Sequence, residues 1–135
     1  MQTTILVVDD EPDLREAMSE SLKDFYSIAT AEDGQDALNF IHSQKPDLIL
    51  LDLRMPRMDG FQALSILKQN KNTADIPVIV ITAYGRMDNI LEAERLRASD
   101  FLIKPFQTAE LLNIVRAVLK RVAPKADIMP RFFFR

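Results

Sequence analysis

The segment Asp47-Leu-Ile-Leu-Leu-Asp52 constrains the fold more than any other in the chain. Four consecutive aliphatic residues between two aspartates leave no polar face, so a strand here is covered on both sides. Strands of that kind lie in parallel sheets, whose crossover connections put helices on the faces. Three further runs have the same form. Ile5-Leu-Val-Val8 stops at Asp9-Asp10-Glu11, Pro77-Val-Ile-Val-Ile-Thr82 ends on a hydroxyl, and Phe101-Leu-Ile-Lys104-Pro105 ends on an ammonium. A weaker strand is expected over 26–31, with Ile28 pointing inward.

Helical signals fill the gaps. Pro12 suits a first helical turn, where its missing N–H has no partner to lose. Leu14, Ala17, Met18 and Leu22 follow it at helical spacing. Asp33 reads as an N-cap before Ala37, Leu38 and Ile41. Arg54-Met-Pro-Arg-Met-Asp-Gly60 is a loop, in which Met55 and Met58 are expected to pack, and a helix follows through Leu64 and Leu67. A mostly polar helix is expected over 88–96. Thr108 is placed as the cap of a last helix with Leu111, Leu112, Val115, Val118, Leu119 and Val122 on one stripe. Strand-then-helix alternation predicts an α/β fold with a parallel sheet, right-handed crossovers and helices on both faces. One domain over 1–122 is expected, with 123–135 as a linker or tail.

Composition narrows the chemistry. The 135 residues contain no cysteine and one histidine, which excludes thiolate nucleophiles, disulfides, zinc–thiolate sites and two-histidine metal motifs. His42 is expected at the surface, at the end of the second helix. The formal charge of −3 and the lack of a polybasic stripe lead to the expectation of no direct nucleic-acid partner. No apolar run approaches the ~18 residues of a membrane span, and the first residues do not resemble a signal peptide, so a cytoplasmic protein is expected.

The polar residues gather where chemistry is expected. Asp9 and Asp10 end one strand, Asp52 another, Thr82 a third and Lys104 a fourth. The carboxyl ends of an open parallel sheet share one edge, and ligands bind there. Three carboxylates against one lysine is an excess of negative charge. At ~4 Å and an effective dielectric near 20, each like-charge pair costs about 4 kcal/mol. A divalent cation with oxygen ligands would neutralise it. Mg²⁺ fits, because it binds through one or two carboxylates and favours phosphate oxygens. Lys104 is then left to meet an incoming anion, with the Thr82 hydroxyl as a neutral donor.

Four stretches together resemble the receiver domain of two-component response regulators, the family of the chemotaxis regulator: Ile5-Leu-Val-Val-Asp-Asp-Glu11, Asp47-Leu-Ile-Leu-Leu-Asp-Leu-Arg-Met-Pro56 with Asp59-Gly60, Val78-Ile-Val-Ile-Thr-Ala83, and Phe101-Leu-Ile-Lys-Pro-Phe106. The resemblance covers residues 4 to about 121. It implies a doubly wound, flavodoxin-like five-stranded sheet of order 2-1-3-4-5, the order of the chemotaxis regulator itself. It implies Asp52 as the phosphorylated aspartate, Asp10 as a direct Mg²⁺ ligand, Asp9 as one acting through water, and the Arg54 backbone carbonyl as a further ligand. By the same resemblance Lys104 binds phosphoryl oxygens, Thr82 moves toward the phosphoryl group, and Phe101 follows as the second switch residue. Pro105 stands where the family often has a cis peptide. The partners implied are a histidine kinase or phosphotransfer protein and an output domain or downstream protein that the sequence does not name. The protein is then a phospho-acceptor, not an enzyme.

Some positions depart from the family pattern. Arg97 occupies a common glycine position after the fourth helix, and either strain there or a different turn is compatible with it. Phe101 is commonly tyrosine. Arg54 and Tyr84 flank the site. In receivers that dimerise through charged pairs, Ile114 would be basic and Ser99-Asp100 an acidic pair. A part-exposed Ile114 leaves Asp100 without its partner, so a mainly monomeric unphosphorylated protein is expected. Phe132-Phe-Phe134 reads equally as a docking segment or a remnant of a linker. Three other functions compete. An aspartate-nucleophile phosphatase needs an acid two residues after its nucleophile, where Arg54 stands. A flavin mononucleotide carrier needs a phosphate loop where Asp9-Asp10-Glu11 repels phosphate. An unphosphorylated scaffold would not need the full polar set.

Overall fold

The computed structural model describes residues 2–55, 58–83 and 86–122. Strands and helices alternate throughout: β1 (Thr4–Val8), α1 (Pro12–Leu22), β2 (Ser27–Ala31), α2 (Gly34–Ser43), β3 (Leu48–Asp52), α3 (Gly60–Gln69), β4 (Val78–Ala83), α4 (Met87–Arg95), β5 (Asp100–Lys104) and α5 (Thr108–Arg121). The sheet order is β2-β1-β3-β4-β5, and every neighbouring pair is parallel. The expected fold class and strand order are both present. Predicted element ends differ from these by a residue or so, as expected of frayed ends. β2 lies at the sheet edge, where only Ala31 is buried and Ile28 and Ala29 are half-buried, which explains its weak pattern.

Alternation along the strands divides the core in two. Ile5, Val7, Leu48, Leu50, Ile79 and Ile81 face α1 and α5, which contribute Met18, Leu22, Leu111, Val115 and Val118. Leu6, Val8, Ile49, Leu51, Val78 and Val80 face the other layer, where α2, α3 and α4 supply Ala37, Ile41, Leu64, Leu67 and Ala93. The central aliphatics are fully buried, each contributing roughly 1.5–3 kcal/mol of transfer free energy. Met55 and Met58 pack against the second layer, as expected, and His42 is exposed.

Helix starts follow local chemistry. Pro12 is the first residue of α1. The Asp33 carboxylate accepts from the Asp36 N–H at 2.8 Å. Asp59 and Gln62 form a reciprocal capping box at α3. Thr108 is not the cap of α5. Gln107 holds that position, its N–H donating to the Glu110 carboxylate at 3.0 Å, while the Thr108 hydroxyl meets the Ser21 hydroxyl of α1 at 3.2 Å.

The end of α4 keeps a glycine-type geometry with an arginine in it. Arg97 has φ 69°. The Ala98 N–H donates to the Ala93 carbonyl and the Arg97 N–H to the Glu94 carbonyl, which is a Schellman closure. Arg97 also donates from its guanidinium to the Lys68 carbonyl of α3 at 2.9 Å. Asp100 is likewise not left without a partner: Arg121 of α5 holds it at 2.8 Å. Ile114 is half-buried against the α1–α5 core, and Arg116 lies over the Phe25 ring at 5.3 Å.

Candidate functional site

The carboxyl edge of the sheet brings the predicted residues together. Val8 pairs with Leu51, so Asp9 leaves β1 beside Asp52 at the end of β3. One ligand oxygen from each of Asp9, Asp10 and Asp52 falls in a group no wider than 4.8 Å. Lys104 Nζ reaches into this group, 3.4 Å from Asp52 Oδ2, 3.7 Å from Asp9 Oδ2 and 3.9 Å from Glu11 Oε1. The Lys104–Pro105 peptide is cis, as the family pattern implies.

Backbone groups orient the carboxylates. The Arg54 N–H donates to Asp52 Oδ1 at 3.2 Å. The Glu11 N–H donates to Asp9 Oδ1 at 2.9 Å, and the Arg15 guanidinium fixes the same turn by donating to the Asp9 carbonyl at 2.8 Å. Gly60 sets the floor of the loop after β3. A Cβ there would lie 2.5 Å from the Asp52 carbonyl oxygen and 2.6 Å from the Leu53 Cα, so the helix start packs directly on the strand end that carries Asp52.

Burial sets the electrostatics. Asp9 and Asp52 are buried while Asp10 is exposed. Desolvation, reinforced by the charge of Asp9, raises Asp52 from 3.8 to about 6, against the opposing Arg54 N–H and Lys104. Asp9 is raised by desolvation as well, more than the Glu11 N–H and Lys104 lower it. Asp9 Oδ2 is buried without a hydrogen-bond donor. An acceptor oxygen of that kind, in an all-carboxylate group, fits a hard divalent cation, which takes oxygen ligands.

Thr82 is buried one residue beyond the strand position paired with Asp52, since Asp52 pairs with Ile81. Its hydroxyl partner is the Asn89 amide of α4 at 3.5 Å. Phe101 of β5, paired with Val80 of β4, is 40% exposed. Arg54 is exposed and shares a cleft with Asp10, Arg86 and Asn89. Tyr84 and the segment 123–135, including Phe132 to Phe134, lie outside the described residues. Asn89, Arg15 and Gly60 were not singled out by sequence reasoning as parts of the site. An amide on the same helical face as Ile90 and Ala93 was the available signal for Asn89.

Residues 5–116 match the response regulator receiver domain family. The phosphate regulon transcriptional regulatory protein PhoB of Pseudomonas aeruginosa is 41% identical over 122 residues, covering 90% of this chain and 53% of PhoB. A probable transcriptional regulator, ycf27 of Guillardia theta, is 36% identical over 118 residues, covering 87% of this chain and 45% of its own. The crystal structure of a response regulator from Chloroflexus aurantiacus superposes with a TM-score of 0.86 at 29% identity, covering 89% of this chain and 99% of that one. The chain belongs to the response regulator receiver domain family of two-component signalling systems.

It spans about half the length of the curated relatives it matches. Two of them are named as transcriptional regulators, which overturns the expectation that nucleic acid is no partner. That expectation rested on the charge of one domain, and a domain's charge constrains only its own surface. Among the described residues no helix is long and apolar enough to cross a membrane.

Proposed function

We propose that this chain is a cytoplasmic phospho-accepting receiver whose acceptor is Asp52 and whose donor is a phosphohistidine of a kinase or phosphotransfer protein. The observation that carries this reading is the placement of one cation, Lys104, between two buried carboxylates at 3.4 and 3.7 Å, with a buried oxygen of Asp9 still lacking a donor. Asp9, Asp10 and Asp52, with the Arg54 carbonyl, would hold Mg²⁺. When bound, the cation supplies charge neutralisation for phosphoryl oxygens.

The rest of the chemistry belongs to the side chains. A carboxylate oxygen of Asp52 attacks phosphorus, the new O–P bond forms as the N–P bond breaks, and the electron pair leaves on the imidazole. Lys104 faces the charge on the transferring oxygens, so positioning and electrostatics supply the acceleration. The acyl phosphate is later lost to water. Added charge and new acceptor oxygens then draw the Thr82 hydroxyl, and Phe101, two residues along the paired strand, repacks. The protein supplies chemistry for its own modification and turns over no separate substrate.

Incubation with Mg²⁺ and a small acyl phosphate, followed by intact mass, tests this. One phosphoryl group per chain, absent with a chelator and absent in Asp52→Asn, is expected. Uptake by the Asp52→Asn protein at the wild-type level contradicts it.

A further inference from the structure

Thr82 and Asp52 approach the sheet edge from opposite layers. Val78 and Val80, which share the strand parity of Thr82, pack against α2, α3 and α4. Leu48 and Leu50, which share that of Asp52, pack against α1 and α5. The resting partner of the Thr82 hydroxyl accordingly comes from α4. Asn89 lies in that helix's first turn, is buried to 8% exposure, and donates to Thr82 Oγ1 at 3.5 Å. The α4 N-cap, Arg86, makes no side-chain capping bond. Among the described residues no other side-chain hydrogen bond joins α4 to the sheet. Asn89 also lines the cleft with Asp10 and Arg54, next to the acidic group.

We infer that Asn89 is a positioning residue: it holds the Thr82 hydroxyl on the α4 side of the sheet, and drawing Thr82 toward a phosphoryl group on Asp52 breaks this bond and frees the first turn of α4. The inference rests on the reading of Asp52 as acceptor and Thr82 as responder. It adds the competing partner and names the contact through which α4 feels the site. The bond is long for an amide donor, as suits a contact that must be given up. Its loss opposes phosphoryl binding, and a buried amide stripped of its partner opposes it further.

Beryllium fluoride with Mg²⁺ serves as the phosphoryl probe, read by amide chemical shifts on the full chain. Asn89→Ala should bind the probe roughly threefold to tenfold more tightly than wild type, the factor that one ordinary hydrogen bond supplies. Before the probe is added, amides of the first turn of α4 should exchange faster than in wild type. On binding, their shift changes should shrink while those of β3 persist. In a Thr82→Val background, Asn89→Ala should leave probe affinity unchanged, because the bond is already absent. Asn89→Ser serves as the second variant if Asn89→Ala does not fold. Unchanged or weaker binding by both Asn89 variants, or an equal effect in the Thr82→Val background, overturns the inference. Failure of the wild-type chain itself to bind the probe overturns the reading of Asp52 instead.

Discussion

At Asp52 burial and a neighbouring carboxylate both oppose ionisation, and this has a sign that can be measured. Without a cation the folded chain holds a proton on Asp52 up to about pH 6, whereas the unfolded chain releases it near 3.8. The folded state therefore binds more protons in that window. Stability from this group is fully present below 3.8 and is lost as pH rises through about 6. With a chelator present, the melting temperature should rise as pH is lowered from 7 to 5. Asp52→Asn should raise stability at pH 7 by up to roughly 3 kcal/mol and remove most of this dependence. Asp9 shifts with the same sign, so a residual slope in Asp52→Asn belongs to it. A melting temperature that falls over the same range in wild type contradicts the electrostatics described. Asp10→Ala should weaken Mg²⁺ binding, followed by titration calorimetry, with little effect on chelated stability because Asp10 is exposed. The acidic cluster was legible in the sequence because each member ends an apolar run. Asn89 was not, because one amide in a polar helix acquires meaning only when the fold turns it inward toward Thr82.

The elements were legible wherever a strand is buried on both faces, and least so where backbone geometry runs against residue type. Arg97 shows the second case. Its positive φ is the glycine geometry, adopted at a cost of roughly 1–2 kcal/mol for a residue with a Cβ. No periodicity in the sequence could separate this from a different turn. Arg97→Gly should be more stable than Arg97→Ala by about 1 kcal/mol in urea denaturation, since both lose the bond to the Lys68 carbonyl and only glycine relieves the strain. Equal stability would place the turn in another conformation. Gly60 is the converse, a glycine required by contact. Gly60→Ala forces a Cβ onto the backbone that carries Asp52 and should cost roughly 1–3 kcal/mol while slowing phosphoryl uptake. A variant with wild-type stability and uptake would show that the loop has room there.

Across the whole molecule, one sheet edge collects groups from four strands, and the layer that holds Thr82 also holds α4. Two large apolar side chains of α4, Met87 and Leu91, are exposed, as is Phe101 on the neighbouring strand. Thr82→Ala should still take up a phosphoryl group, because Asp52, Lys104 and the carboxylates remain, yet the shift response of α4 and β5 amides to a phosphoryl mimic should fall. Equal responses in wild type and Thr82→Ala would separate Thr82 from that face. Charge and composition speak only of this domain's own surface, so they do not bear on the partners of the longer relatives. The central claim concerns a single atom group, the Asp52 carboxylate, and the most direct test is to locate the phosphoryl group after reaction with Mg²⁺ and an acyl phosphate. Borohydride reduction of the acyl phosphate followed by peptide mapping should convert Asp52, and no other aspartate, to homoserine. Homoserine at Asp9 or Asp10, or a stable phosphoryl group on His42, would contradict the account.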